Sequence, residues 1–305
     1  MSDGPPILLC TFVASGAEPR AGLVAGDRIV DLTLPLGGAG GGGNGGRPGD
    51  LRALIERIPL DDLAARLRDL AAAPGDAPTL ARADVRLLAP VPGPPKVTAV
   101  GLNYRDHAAE TGRALPERPM LFAKARTAVS GPEDPIRLPY RGAEKVDYEV
   151  ELGLVVGRAG FRIPAERARE HLLGYTVAID VSDREAQYGD KQFYRGKSYP
   201  TFCPVGPFVA LEGTFAPAGV ALTTHLNGQE MQRGTTADLI FSIDAVIAYI
   251  SAVTPLEPGD LILTGTPAGV GFARNPPVFL RAGDRLRCAV EGIGALDLPV
   301  EGPLA

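Results

Sequence analysis

The stretch that decides the fold is "VDYEVELGLVVGR" (146–158), an apolar run that carries Asp147, Glu149 and Glu151. Valine, leucine and tyrosine dominate it and a glycine follows, so it reads as one β-strand. Side chains alternate faces along a strand, which puts Glu149 and Glu151 on one face with Asp147 a step further along. Tyr148, Val150 and Leu152 then point the other way, into a core. Two neighbouring carboxylates repel, so their face needs cations, protons or open water. Open water would make this an ordinary solvated strand face. Three features argue for a site instead. Leu154, Val155 and Val156 continue without a polar break, which marks a central strand. A similar exception follows in "YTVAIDVSD" (175–183), where Asp180 interrupts an apolar run. The donors are also all oxygens, with no cysteine or histidine pair beside them, which suits Mg²⁺, Mn²⁺ or Ca²⁺. An ion held by three carboxylates keeps open positions for substrate oxygens, and it can polarise a carbonyl and stabilise an enolate.

Outward from this strand, the sequence from Val97 on alternates short apolar runs with Gly/Pro turns: VTAVGLNY, YTVAIDVS, VALTTHLNG, DLILTGTP and RLRCAV. Few helices interrupt them. ERAREHLLG follows Pro164, and SIDAVIAYISA places Ile243, Val246, Ile247 and Ile250 at helical spacing. Many strands with few crossover helices predict a β-rich α+β fold rather than a doubly wound sheet. Upstream, residues 7–13 and 28–33 read as strands. Two helices follow, with Leu51, Leu54, Ile55 and Ile58 on one face and Leu63, Leu67 and Leu70 on the next. The proline-rich "LAPVPGPPK" (88–96) reads as an extended link. It divides a small N-terminal domain, 1–95, from a catalytic domain, 96–305. The glycine-rich segment 38–47 reads as a loop; it contains GxGxxG, but no tight strand-turn-helix unit follows.

Composition narrows the function classes. The 305 residues are 45% hydrophobic and 22% charged, with a net charge of −5 and a pI near 5.4. This fits a globular protein and argues against a nucleic-acid binder. No apolar run is long enough to cross a membrane as a helix, and Asp3 stands where a signal peptide would be basic. Cys10, Cys203 and Cys288 are odd in number and far apart, which suits a reducing cytoplasm and not a disulfide framework or zinc site.

Among the three histidines, His107 stands out. In "GLNYRDHAAETG" (101–112) it precedes Glu110 by three residues, so the two are neighbours on a helix. Glu110 can fix the imidazole tautomer and leave the other nitrogen as a base; the same spacing also serves a surface ion pair. His171 falls in a charged, solvent-facing helix, and His225 in an alternating strand. After Asp180, the segment 180–207 is dense in Arg, Lys, Gln and Tyr. Here Arg184 offers a bidentate fork for carboxylates and Lys197 a point charge. GKS at 196–198 lacks the P-loop spacing. "TGTPAGVG" (264–271) is built for a tight turn whose N–H groups, with Thr266, can hold an anionic oxygen or simply turn the chain.

Taken jointly, GLNYRDHAAE, DYEVELG, GYTVAIDVSDRE, RGKSYPTFCPVGP, LNGQEMQ and LILTGTPAGVG give a chain that, over roughly 97–301, resembles the fumarylacetoacetate hydrolase family. The resemblance implies a roll or sandwich of mixed β-sheets behind a smaller N-terminal domain, and a homodimer. It implies Mg²⁺ or Mn²⁺ on Glu149, Glu151 and Asp180, a water-activating dyad of His107 and Glu110, and Lys197 at the substrate carboxylate or enolate. Arg184, Gln187, Thr266 and Lys124 match pocket positions. The activity expected is C–C bond hydrolysis in a 2,4-dioxo acid, an acylpyruvate-like compound. Decarboxylation of a 2-oxo diacid and isomerisation of a 2-hydroxy-dienedioate use the same enolate and stand as alternatives. A non-catalytic binding module is the alternative of another class. The substrate expected is a small anionic 2-oxo acid.

Overall fold

The computed structural model describes residues 4–37 and 49–303, and the glycine-rich segment 38–47 lies outside them. The N-terminal segment forms a meander of β1 (Leu8–Ala14), β2 (Arg20–Ala25), β3 (Arg28–Asp31) and β4 (Thr79–Ala81), with β5 (Val85–Leu88) added to β1. Helices α1 (Thr33–Gly37), α2 (Leu51–Arg57) and α3 (Leu60–Ala72) accompany it. Asp50 caps α2 by accepting from the Ala53 N–H at 2.9 Å. The predicted faces of α2 and α3 bury Leu51, Leu54, Ile55, Leu63 and Leu67.

The remaining chain runs through β6 (Val97–Gly101), α4 (Arg105–Glu110), β7 (Met120–Lys124), β8 (Val129–Ser130), β9 (Ile136–Arg137), β10 (Val146–Asp147) and β11 (Val150–Val156). It continues with β12 (Leu172–Ile179), β13 (Ser182–Asp183), α5 (Arg184–Gly189), α6 (Phe193–Gly196) and β14 (Cys203–Leu211). It ends with β15 (Ala221–Leu226), β16 (Gln229–Thr235), α7 (Ile243–Ser251), β17 (Leu261–Leu263), β18 (Arg285–Val290) and β19 (Gly294–Glu301). The main sheet has the order β4-β3-β2-β1-β14-β12-β11-β17-β6-β7, and a second sheet the order β16-β15-β18-β19-β9. β8 pairs in parallel with β14, so the chain beyond the β7 edge returns toward the middle of the sheet. This is the sheet-dominated α+β fold that the strand count predicted.

All seven residues of β11 are buried, which is what its unbroken apolar run requires. The boundary expected near residue 95 is not a break in the sheet. Leu8 and Leu9 pair with Ala210 and Val209, and the buried leucines of both parts share one core. The proline-rich link lies against the fold, with Pro90 and Val91 buried and the Pro90 carbonyl accepting from Thr11 Oγ1 at 2.7 Å. No helix among the described residues is long and apolar enough to cross a membrane.

Three local expectations need correction. The strand at 146–158 is interrupted at Tyr148 and Glu149. Asp147 Oδ1 takes the Tyr148 N–H at 2.8 Å and Gln232 Oε1 takes the Val150 N–H at 3.1 Å, so side chains replace the ladder there. The segment after Pro164 is a 3₁₀ helix, Ala165–His171, because β12 begins immediately after it. His171 is half-buried rather than solvent-facing, with Nδ1 3.2 Å from the Arg158 carbonyl oxygen.

Topology brings the candidate residues together. β11 is antiparallel to both β12 and β17, and β17 is parallel to β6. The start of β11 therefore lies beside the ends of β12, β17 and β6. Asp180, the 264–271 turn and α4 follow directly from those ends. The β12–β14 ladder is tight at Gly174, where a Cβ would sit 2.0 Å from the Ala210 carbonyl oxygen. Gly174→Ala is expected to cost about 1–3 kcal/mol, as overpacking does, read as a lower urea midpoint. An unchanged midpoint would show that this ladder opens freely.

Candidate active site and metal centre

Glu149, Glu151 and Asp180 converge at this sheet end, each buried, with potential ligand oxygens all within 4.8 Å of one another. The Asp180 N–H donates to the Glu149 carbonyl oxygen at 2.9 Å, which fixes their spacing. Three cations answer them unevenly. Lys197 Nζ donates to Glu149 Oε2 at 2.9 Å and to Asp180 Oδ2 at 2.5 Å. Arg184 Nη2 donates to Glu149 Oε1 at 2.6 Å. Lys124 Nζ bonds the other Asp180 oxygen and the Val181 carbonyl oxygen, the latter at 3.3 Å. Glu151 pairs with no cation among the described residues; Oε2 accepts the Gly265 N–H at 2.6 Å.

The electrostatics follow that division. Burial alone would raise the Glu149 carboxyl, but Lys197 and Arg184 overcome it and hold the group far below the usual carboxylate range. Burial pushes Glu151 well above that range, and Asp180 and Glu149 push it further. An oxygen-only cluster with one carboxylate unmatched fits a hard divalent cation, which would supply the missing positive charge. The residues present therefore fit Mg²⁺ or Mn²⁺ on Glu149, Glu151 and Asp180. The buried thiols offer no rival chemistry, since burial pushes Cys10, Cys203 and Cys288 each up to about 12.

Asp147 does not join the other two acids. Its Oδ2 accepts Arg184 Nε and Nη2 at 2.9 and 2.8 Å and the Phe272 N–H at 3.0 Å, while Oδ1 accepts the Gly271 N–H at 2.7 Å. Arg184 also donates to Gln187 Oε1 at 2.9 Å and lies over the Phe272 ring, 4.4 Å from its centroid. The bidentate fork predicted for a substrate carboxylate therefore grips a carboxylate of the protein itself.

The dyad forms as the spacing predicts. His107 Nδ1 lies 2.7 Å from Glu110 Oε1, and the Gly269 N–H donates to Glu110 Oε2 at 2.9 Å. A carboxylate only accepts, so Nδ1 is the donor, and in the neutral ring this tautomer leaves the lone pair on Nε2. Asn103 positions α4 by donating to the Thr264 and Phe241 carbonyl oxygens at 2.8 and 3.2 Å and accepting the Phe241 N–H at 2.8 Å.

The turn at 264–271 does hold anionic oxygens, but they are those of Glu151, Glu110 and Asp147. The Thr266 hydroxyl is occupied too, donating to the Val150 carbonyl oxygen at 2.8 Å and accepting from Gln232 Nε2 at 2.9 Å. His107, Glu149, Glu151, Lys197, Arg184 and Gln187 line one cleft, which Thr266 also reaches. Lys124 is not on the cleft wall; it lies beside Asp180 as that residue's second cation. Sequence reasoning missed Asn103, whose only signal is a polar residue between Leu102 and Tyr104, and Gln232, which no local signal marks.

Comparison with known proteins follows the same lines. A family model described as "Fumarylacetoacetate (FAA) hydrolase C-terminal" matches residues 96–301. The chain is 42% identical over 267 residues to a Bos taurus protein named oxaloacetate tautomerase FAHD2A, mitochondrial, covering 83% of this chain and 84% of that one. Two solved structures are similar. One is a 2-hydroxyhepta-2,4-diene-1,7-dioate isomerase from Mycobacterium marinum, with a TM-score of 0.74 and 33% identity, over 97% of this chain and 98% of that one. The other is a maleylpyruvate hydrolase from Sphingobium sp. SYK-6 in complex with manganese(II) ion and pyruvate, with a TM-score of 0.77 and 31% identity, over 97% and 100%.

Two measurements follow from this geometry. Asp147→Ala leaves Arg184 buried without its fork, and is expected to cost roughly 3–5 kcal/mol in urea unfolding. A cost below about 1 kcal/mol, the worth of a surface pair, would show that Arg184 does not depend on it. Mg²⁺ at ~100 times its dissociation constant is expected to stabilise the wild type by about 2.7 kcal/mol, and Glu151→Ala to lose that response in a thermal melt with and without EDTA. An equal Mg²⁺ shift in both proteins would remove Glu151 from the ligand set.

Proposed function

The chain belongs to the fumarylacetoacetate hydrolase family, and we propose that it interconverts the keto and enol forms of a small 2-oxo acid by moving a proton at the carbon beside the 2-oxo group. The observation that carries this reading is His107, held by Glu110, on the wall of a cleft that Glu149, Glu151 and Lys197 also line. Tautomerisation asks little else of a protein. One base removes the proton from carbon, the electron pair shifts onto the 2-oxo oxygen, and a proton returns to that oxygen. His107 Nε2 takes the first proton, while Glu110 holds the imidazole in place and favours the cation that forms. Lys197 has three N–H donors and uses two on Glu149 and Asp180, so the third is left for the oxygen on which charge develops. A divalent cation on Glu149, Glu151 and Asp180 would add a Lewis acid for the substrate's oxygens. The printed name of the bovine relative supports the tautomerase reading.

A second reading is hydrolysis of the C–C bond of an acylpyruvate, which the Sphingobium structure favours by its name. There His107 would deprotonate water, and the same cations would receive the departing enolate. The homodimer and the cytoplasmic setting expected from the sequence stay with these readings as proposals.

The test is ultraviolet decay of enol-oxaloacetate with Mg²⁺, run beside a short acylpyruvate panel. Wild type is expected to accelerate the decay, and His107→Ala to lose roughly 10²–10⁴-fold in rate while keeping its Mg²⁺ stabilisation. Undiminished decay in His107→Ala would remove the proposed base. Pyruvate release from an acylpyruvate, with no effect on oxaloacetate, would replace the tautomerase by the hydrolase.

A further inference from the structure

Three cationic side chains among the described residues line the cleft, apart from His107: Arg184, Lys197 and Arg113. They are not equally available. Arg184 is held by Asp147, Glu149 and Gln187, and Lys197 by Glu149 and Asp180. The guanidinium of Arg113 has no ion-pair or hydrogen-bond partner among the described residues, and the residue is exposed. Among the described residues it is the cleft's one cation whose charge no carboxylate takes up.

Its position is not that of a loose surface arginine. Gly112 adopts a positive φ of 64° and ends α4. The Arg113 N–H returns to the Ala108 carbonyl oxygen at 2.9 Å and the Gly112 N–H to Ala109 at 3.1 Å, the paired bonds of a Schellman motif. Thr111 Oγ1 adds a bond to the His107 carbonyl oxygen at 2.8 Å. The backbone that carries Arg113 is thus locked to the turn of helix that carries His107. The same cleft is also lined by the apolar side chains of Val100, Met120, Phe122, Phe193 and Phe272.

We infer that Arg113 is a specificity-determining residue: it binds a second carboxylate, distal to the 2-oxo acid group, and so selects 2-oxo dicarboxylates over 2-oxo monocarboxylates. This inference rests on the proposed function, since it takes the 2-oxo acid end to lie at Lys197 and His107. An arginine offers the planar fork that a carboxylate matches in two hydrogen bonds, and a rim position lets the cleft accept the longer acid without burying a new charge.

Pyruvate and oxaloacetate differ by just this distal carboxylate, and interconversion of tautomers leaves the composition of the titrant unchanged. Isothermal titration of the Mg²⁺-loaded wild type with each acid is compared with Arg113→Ala and Arg113→Lys. Arg113→Ala is expected to weaken oxaloacetate roughly 10- to 100-fold, the range of a hydrogen bond to a charged group, and to leave pyruvate affinity unchanged. Arg113→Lys is expected to fall between, since it keeps the charge and loses the fork. Equal weakening of both acids, unchanged oxaloacetate binding, or a wild type that binds the two acids equally would each overturn the inference and leave the proposed function standing. A wild type that binds neither acid would overturn both.

Discussion

Three carboxylates buried side by side at the end of a central strand are the constraint on which the rest of this structure depends. Burial removes the water that would otherwise screen them, so each needs a compensating charge or proton. The protein supplies Lys197, Arg184 and Lys124, and all three go to Glu149 and Asp180. Glu151, beside those two, receives a backbone N–H and no cation among the described residues. The imbalance is what suits the cluster to a cation rather than to a closed salt-bridge network. A fully paired set would have no reason to take up an ion, and an unpaired set would not survive burial. The fold's long-range pairings serve this arrangement, since β11 needs β12 on one side to deliver Asp180 and β17 on the other to deliver Gly265.

One short loop extends the same logic. Between Gly265 and Phe272 the backbone gives N–H groups to Glu151, Glu110 and Asp147. It thereby links the acidic triad, the His107–Glu110 pair and the anchor of Arg184. Backbone dipoles suit this role because they stabilise anions without adding a side chain that must itself be buried and partnered. The close approach explains the glycines. At Gly269, φ is +103° and a Cβ would lie 2.2 Å from the Met231 carbonyl oxygen; at Gly271 it would lie 1.9 Å from that of Val278. The turn motif that looks, in sequence, like a place for a foreign anion is fully spent on the protein's own.

Local periodicity made the chemistry legible, and non-local pairing hid its boundaries. Strand alternation alone put Glu149 and Glu151 on one face, and helical spacing alone paired His107 with Glu110. Alternation failed one step earlier, at Asp147, because Asp147 accepts its neighbour's N–H and Gln232 takes that of Val150, so the ladder ends there. Nothing local marks Gln232, which is 82 residues from Val150. Lys124 and Asp180 are separated by 56 residues, and their pairing depends on how the sheet curls. Arg184 was read correctly as a carboxylate fork, but a sequence does not say whose carboxylate it meets. The fold class was legible because it rests on the count and spacing of strands; the continuity of the N-terminal meander with the main sheet was not, because it rests on two residue pairs, Leu8–Ala210 and Leu9–Val209.

The same division separates what the site must keep from what it can vary. The buried side of the cleft is one network, in which Glu149, Asp180, Lys197, Arg184 and Asp147 are each bonded to at least one other member. Altering any of them breaks at least one buried ion pair, so that side resists change on energetic grounds alone. The rim is different. Arg113, Met120 and Tyr188 line the cleft, are exposed, and take no part in that network. Exchanges there cost little stability, and under the proposed function they bear on the part of a substrate that distinguishes a tautomerase's diacid from a hydrolase's acylpyruvate. A single fold can therefore hold the enolate step fixed and change which bond is made or broken beside it, with the choice residing in side chains whose loss the fold would scarcely register.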